Sequence, residues 1–397
     1  MYNPAMSIGF FAGFFAVASC VVVSMAAMQT SRQIVNAGPA PVGPYSAAVK
    51  AGGLIYLSGT LAQDDSGAIT GDVTAQTRRV IERMRGVLDA SGSSLSQVVA
   101  VTVYLRSASD FAAMNDAYRA YWPKDPPTRT TVITDLLLGA LVEVSMIAVP
   151  NGAERKIVRP QGWAVSPNPY SYAIRTGDTL FLSGLVPRNG RDNTVAGGDI
   201  AAQTKVVMDN AGDVLRAAGM EYSNIVSARV YLPDTANFQQ MNTTYRSYFK
   251  ADPPARATVK ADLAGSQYAV EITFVASSAP RQVVGQSTNP VLSQAIKSGN
   301  RLHVSGLLGH DANNAGDAAA QTREIFVKLQ KILEGAGYTS ADVVDGLVYL
   351  TDLSRFADMN KGYRAFFQKD FPARATVGTG LVAPGAVVEI MVTAVKH

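Results

Sequence analysis

Three arginines occupy equivalent places in this chain: Arg129 in Pro127-Thr128-Arg129, Arg256 in Pro254-Ala255-Arg256 and Arg374 in Pro372-Ala373-Arg374. A glutamate follows each of them in the next extended segment: Glu143, Glu271 and Glu389. A planar guanidinium offers a carboxylate two parallel N–H groups, a fork that lysine cannot copy. A glutamate within hydrogen-bond reach can hold a water or relay a proton. The same residues can equally be structural, with Arg129 bridged to Glu143 on a nearby strand. Ser58-Gly59, Ser183-Gly184 and Ser305-Gly306 end strand-like runs. Glycine there admits close approach of a ligand to backbone, or simply bends a strand end. Asn115, Asn242 and Asn360 fall early in a helical segment, where they can bond across a cleft or tie helix to loop. Tyr45 and Tyr170 bring an aromatic face and a hydroxyl, useful as a cleft wall or as packing. Leu292 takes that place in the third set, and Val291 stands where Pro44 would be, so one of three sites is expected to be altered. No G-x-S-x-G elbow with a recurring histidine is present, which argues against a serine nucleophile.

Composition narrows the chemistry. Of the 397 residues, 47% are hydrophobic and 17% charged, enough apolar mass for packed cores and against a disordered chain. The net charge of +4 is small and no Lys/Arg run focuses it, so no nucleic-acid partner is expected. The single cysteine, Cys20, excludes an internal disulfide framework, a cysteine zinc site and a CxxC redox centre. His303, His310 and His397 all lie in the last quarter and cannot build a metal site in each repeat.

The candidate residues recur because the chain repeats itself. Tyr56-Leu57-Ser58-Gly59, Phe181-Leu182-Ser183-Gly184 and His303-Val304-Ser305-Gly306 are one word written three times, about 120 residues apart. Ala75-Gln76-Thr77, Val103-Tyr104-Leu105 and Phe111 to Asn115 recur in the same order. That period is domain-sized and predicts tandem domains over 31–150, 166–277 and 288–397. The stretches 151–165 and 278–287 carry breakers and read as linkers. In the first copy an extended pair, Ala47–Lys50 and Leu54–Ser58, flanks a Gly-Gly turn. Val73, Val80, Ile81, Met84, Val87 and Leu88 fall on one face of a helix from Val73 to Ala90. Asp72 suits its N-cap and Gly92 its stop. Val98–Leu105 reads as a strand, Asp110–Tyr121 as a second helix, and Arg129–Ile133 and Leu141–Val149 as two more strands. The order β-β-α-β-α-β-β predicts an α+β layer pair. The last strand is apolar on both faces, so the sheets should pack on one another around a pseudo-threefold axis.

The first segment, residues 1–30, has no charged side chain, and Met6–Met28 is almost wholly apolar. It reads as a signal peptide, with Ser24-Met25-Ala26 as a cleavage site, or as a membrane anchor. Either would place the protein outside the cytoplasm, exported or periplasmic. A start at Met25 or Met28 would instead give a cytoplasmic product.

Each copy resembles a domain of the Rid superfamily, of the RidA/YjgF type once labelled L-PSP endoribonuclease. The resemblance rests on Gly43-Pro44-Tyr45-Ser46, Leu57-Ser58-Gly59, Gln76-Thr77, Phe111 with Asn115, Pro127-Thr128-Arg129 and Val142-Glu143-Val144, in that order, and spans residues 34–397. It implies a chorismate-mutase-like α+β fold and trimers with clefts between neighbours. Here one chain would supply all three subunits, as a monomeric pseudo-trimer with no protein partner. It implies cofactor-free, metal-free hydrolysis of 2-imino and 2-enamino acids to 2-keto acids and ammonia. Arg129, Arg256 and Arg374 would then anchor the carboxylate, with Glu143, Glu271 and Glu389 holding water or relaying a proton. Family members often carry cysteine two residues after the arginine. Thr131, Thr258 and Thr376 stand there instead, so no thiol switch is expected. A non-catalytic binder of small carboxylates, or a scaffold, is the alternative reading. A ribonuclease fits less well, because no basic patch with interleaved aromatics is present.

Overall fold

The computed structural model describes residues 1–3, 32–38, 41–285 and 289–397. The apolar leader read as a signal or anchor lies outside the described residues. Among the described residues no helix is long and apolar enough to cross a membrane.

The first domain runs β1 (Gln33–Val35), β2 (Ala48–Ala51), β3 (Leu54–Leu61), α1 (Val73–Ala90), β4 (Val98–Leu105), α2 (Phe111–Arg119), β5 (Thr128–Ile133) and β6 (Val142–Ala148). The second repeats this with β7 (Lys156–Val158), β8 (Ala173–Thr176), β9 (Thr179–Leu182), α3 (Ile200–Ala217), β10 (Ile225–Leu232), α4 (Phe238–Arg246), β11 (Ala255–Lys260), β12 (Asp262–Leu263) and β13 (Glu271–Ser277). The third has β14 (Arg281–Val284), β15 (Ala295–Ser298), β16 (Arg301–Leu308), α5 (Ala318–Ala336), β17 (Val343–Leu350), α6 (Phe356–Phe367), β18 (Ala373–Gly378), β19 (Gly380–Leu381) and β20 (Val388–Val395). In each sheet the two strands that flank α2 or its counterpart are parallel, and the remaining pairings are antiparallel.

The helices form where the apolar period required. In α1, Val73, Val80, Ile81, Met84 and Leu88 are buried against the sheet, and Asp72 caps the first turn by accepting from the Ala75 N–H. Gly92 follows the last turn at φ +74°. The recurring Ala-Gln-Thr word has a structural task. The Gln76 side-chain oxygen accepts from the Leu141 N–H at 2.9 Å, Gln203 from Ala269 at 2.7 Å and Gln321 from Val387 at 2.8 Å. Each bond ties a long helix to the loop before its domain's last strand.

Two features differ from the sequence expectation. Each sheet has an extra strand at its outer edge, and β7 and β14 lie inside the stretches 151–165 and 278–287 that read as linkers. Three or four residues are too short to show a period of two, so these strands were not legible. The sheets also reach across domains. Strand β12 pairs with β5, β19 pairs with β11, and Asp135 bridges Gly378 to join the third domain to the first. These contacts close a ring around the pseudo-threefold axis. Its inner core draws on all three domains, including Tyr104, Tyr231 and Tyr349.

Candidate functional site

Alternation along β5, β11 and β18 decides where the arginines go. Thr128 and Thr130 face the axis, so Arg129 between them faces away from it, into a groove between domains. The glutamate it meets belongs to the next domain. Arg129 N–H donates to Ser183 Oγ at 2.9 Å, and Glu271 Oε1 accepts from Thr131 N–H at 3.4 Å. The first and second domains therefore build one cleft from Arg129, Asn115, Tyr170, Ser183, Gly184 and Glu271. The second and third build another, where Arg256 N–H donates to Ser305 Oγ at 2.8 Å and Arg256 lies near Glu389. The third and first build the last, where Arg374 N–H donates to Ser58 Oγ at 2.8 Å and Arg374 lies near Glu143. The alternative of an Arg129–Glu143 bridge within one domain is thus excluded, since those residues face different clefts.

The guanidinium groups are held but not neutralised. Arg129, Arg256 and Arg374 are 4%, 2% and 2% exposed. Among the described residues no ion pair joins any of them to a carboxylate. Each lies instead over a tyrosine ring: Tyr118 at 4.9 Å, Tyr245 at 4.8 Å and Tyr363 at 4.6 Å. These tyrosines escaped the sequence reading. The signal was available, for each stands one helical turn after the asparagine, as in Asn115 and Tyr118. Arg129 Nη1, Arg256 Nη1 and Arg374 Nη2 are buried donors without a protein acceptor. Buried donors are ordinarily paired, so an anion fits here.

The asparagines divide. Asn242 Oδ1 accepts from Arg256 at 2.7 Å and Asn360 Oδ1 from Arg374 at 2.9 Å, which aims each guanidinium. Asn115 instead donates across its cleft to Asn168 at 3.3 Å, leaving Arg129 without that acceptor. The serines of the recurring Ser-Gly pairs bond across domains. Ser58 accepts from Arg374 N–H and donates to the Ser46 carbonyl at 2.6 Å, and Ser183 and Ser305 repeat the pattern. Tyr45 stands 5.3 Å from the Arg374 guanidinium, and Tyr170 is close enough to Arg129 to interact with its charge. Leu292 stands at the tyrosine's place in the third repeat. A cavity of about 100 Å³ opens beside Tyr45, Ser58 and Gly59, reaching Arg83.

Burial sets the protonation of the glutamates. It pushes Glu143, Glu271 and Glu389 up to about 8, outweighing the opposing pull of the facing arginine. Burial thus favours the carboxylic acid form in all three. An added Cβ on Gly59, Gly184 or Gly306 would overlap Oε1 of Glu143, Glu271 or Glu389 respectively. The hydroxyls of Thr131, Thr258 and Thr376 are buried beside the arginines without a protein partner. Each cleft therefore combines an unsatisfied guanidinium, a buried carboxyl group and a free hydroxyl.

The sequence profile of the endoribonuclease L-PSP family matches this chain three times, over residues 35–150, 163–278 and 287–396. A RutC family protein of Sulfurisphaera tokodaii is 40% identical over 109 residues, 28% of this chain and 87% of that protein. A 2-iminobutanoate/2-iminopropanoate deaminase of Dermatophagoides farinae is 35% identical over 114 residues, 28% of this chain and 89% of that protein. Among solved structures, the YjgF gene product of E. coli is 28% identical with a TM-score of 0.29, covering 31% of this chain and 98% of that one. With each of the three matches falling on one of the three observed domains, the chain belongs to the Rid/YjgF family, as a three-repeat member.

Proposed function

We propose that this protein hydrolyses 2-imino and 2-enamino acids, of the 2-aminoacrylate and 2-iminobutyrate type, to 2-keto acids and ammonia. The observation that carries this reading is the buried arginine with an unpaired guanidinium nitrogen facing a buried glutamate in every cleft. The substrate carboxylate takes the free N–H groups of the arginine. A neutral glutamic acid tolerates that second carboxylate, where an ionised one would repel it. Water adds to the imine carbon while the glutamic acid gives its proton to the nitrogen. The carboxylate takes the proton that the added water loses and passes it to the amine, so that ammonia leaves the carbinolamine as the hydroxyl proton returns to the carboxylate. The threonine hydroxyl beside the arginine is a fitting holder for the water. Arginines as buried as these suit a small acid better than a polynucleotide.

The test generates 2-iminobutyrate or 2-aminoacrylate with an amino-acid oxidase or dehydratase and times its decay, with semicarbazide trapping what remains. Acceleration by the protein supports the reading. No acceleration by folded protein, with any imino acid, favours the non-catalytic binder.

The carboxyl shift gives a pH prediction. The acid form donates the proton, so kcat should fall as pH rises through about 8. Stability follows the same sign. The unfolded carboxyl ionises near 4.5 while the folded one stays protonated to about 8, so stability drops across that window as pH rises. Substituting all three glutamates with glutamine should slow turnover by about 10²-fold or more and abolish that basic limb. A pH–rate profile on both proteins checks this.

Because one chain closes its own ring, we propose that it is a monomer. Light scattering should return 41.9 kDa, and a multiple of that mass would refute it.

A further inference from the structure

A cavity also lies on the pseudo-threefold axis, apart from the clefts. It has a volume of about 120 Å³ and is walled by all three domains, and none of Arg129, Arg256 or Arg374 lines it. Strand register identifies equivalent positions along its wall. Ala100, Ser227 and Asp345 form one level, opposite Thr128, Ala255 and Ala373 on the paired strands. Thr102, Arg229 and Leu347 form the next level. In a trimer of identical chains each level would carry one residue three times, and three arginines or three aspartates at close range would repel. A single chain is free to place one of each.

This wall is built with a polar purpose that the clefts do not use. Arg229 and Asp345 are enclosed by protein yet keep accessible surface, and both line the cavity. No ion pair within 4.0 Å joins them. The Arg229 guanidinium donates to Thr102 Oγ1 at 3.3 Å. The Tyr104 hydroxyl, fully buried in the same wall, has no protein partner. The other ionisable groups of the lining are silent. Arg301 is matched by Asp178 at 3.3 Å, and burial pushes His303 down to about 3, so it is neutral. Burial raises Asp345 to about 6 against the pull of Arg229, so it is ionised at neutral pH. One cation and one anion therefore face a shared space without touching.

We propose that the axial cavity is a second binding site, separate from the clefts, for a small zwitterionic α-amino acid. The ligand carboxylate lies on Arg229 and Thr102, and its ammonium group on Asp345. A site with no net charge matches a ligand with none. The volume suits about six heavy atoms, since a cavity of roughly 150 Å³ holds one benzene. That is the size of glycine, alanine or serine. The inference does not depend on imine hydrolysis in the clefts.

Equilibrium dialysis and titration calorimetry of the full chain, with glycine, L-alanine and L-serine as probes, test it. One zwitterion per chain is expected. Propionate and ethylamine, each with one of the two charges, should bind at least about tenfold more weakly, as each forfeits a charge-assisted contact. Arg229→Met and the near-isosteric Asp345→Asn should each weaken binding by about tenfold or more. A variant with Arg129, Arg256 and Arg374 all changed to methionine should keep the site. The proposal is overturned by no binding at millimolar probe, by propionate binding as well as alanine, or by binding that survives Arg229→Met and vanishes in the cleft variant. Should Arg229→Met fail to fold, Asp345→Asn and the single-charge probes still decide.

Discussion

Replacing Arg129, Arg256 and Arg374 together with methionine is expected to abolish turnover of 2-imino acids and to leave the protein at least as stable as before. The two halves of this result have one cause. Each guanidinium is desolvated, which lowers its affinity for its proton, and no carboxylate pairs with it among the described residues. A buried charge without a partner raises the free energy of the folded chain, and an apolar side chain of similar length removes that cost. The same charge is the anchor for a substrate carboxylate. Charge-assisted hydrogen bonds contribute about 1.5–3 kcal/mol each, so loss of a fork should lower kcat/KM by about a hundredfold or more. Lysine variants keep the charge and lose the fork, and should show mainly a raised KM. Single variants will apportion activity among the clefts. Arg256→Met should matter least, because Leu292 replaces the tyrosine that faces its counterparts. Thermal unfolding and steady-state kinetics on the same preparations provide the check. Parent-level activity in the triple variant would sink the anchor role, and a large loss of stability would return these arginines to a structural one.

Gly184→Ala, with Gly59→Ala and Gly306→Ala, is expected to reduce kcat without loosening substrate binding in proportion. The added methyl group would occupy the space of Glu271 Oε1, and likewise Glu143 and Glu389 in the other two clefts. Each glutamate is buried with the facing arginine nearby, so it must turn out of the cleft or push the strands apart. Overpacking of this kind costs about 1–3 kcal/mol of stability. Displacing the proton donor should lower kcat by about 10²-fold, while the arginine still holds the carboxylate and KM changes little. Gly86→Ala is the control. Nothing lies within 4 Å of the added methyl at this exposed place in α1, so it should stabilise the helix by about 1 kcal/mol and leave kinetics untouched. If Gly184→Ala and its counterparts behave like Gly86→Ala, the glutamates do not take part in the reaction.

Much of this was legible in the sequence because repetition and periodicity report directly on local structure. Three copies of one ordered set of words meant three copies of one domain. The helical period of Val73, Val80, Ile81, Met84 and Leu88 meant a helix with one buried face, and α1 spans Val73–Ala90 as the pattern predicted. The apolar alternation on both faces of Val142–Ala148 meant a sheet covered on both sides, and a cluster that joins Ile147 to Ile174, Phe181 and Val344 of the other domains supplies the second cover. The edge strands β1, β7 and β14 escaped because so few residues carry no period. The interdomain bonds of Ser58, Ser183 and Ser305 were not legible, because recurrence does not distinguish a residue placed for chemistry from one that staples two domains.

What the sequence by itself determined is the content of the site: an arginine, a glutamate, a glycine and an asparagine in every copy. Only the tertiary structure decided how they combine. Side-chain periods say which face of a strand is buried, and not what lies against it. The pairing of Arg129 with Glu271, Arg256 with Glu389 and Arg374 with Glu143 arises because each arginine strand leans on the sheet of another domain. The bias of the glutamates toward the acid form has the same origin, for desolvation exists only once the ring is closed. The meeting of Arg229 and Asp345 on the axis is likewise invisible in sequence. They come from different repeats, and only three-dimensional closure brings one cation and one anion to the same cavity.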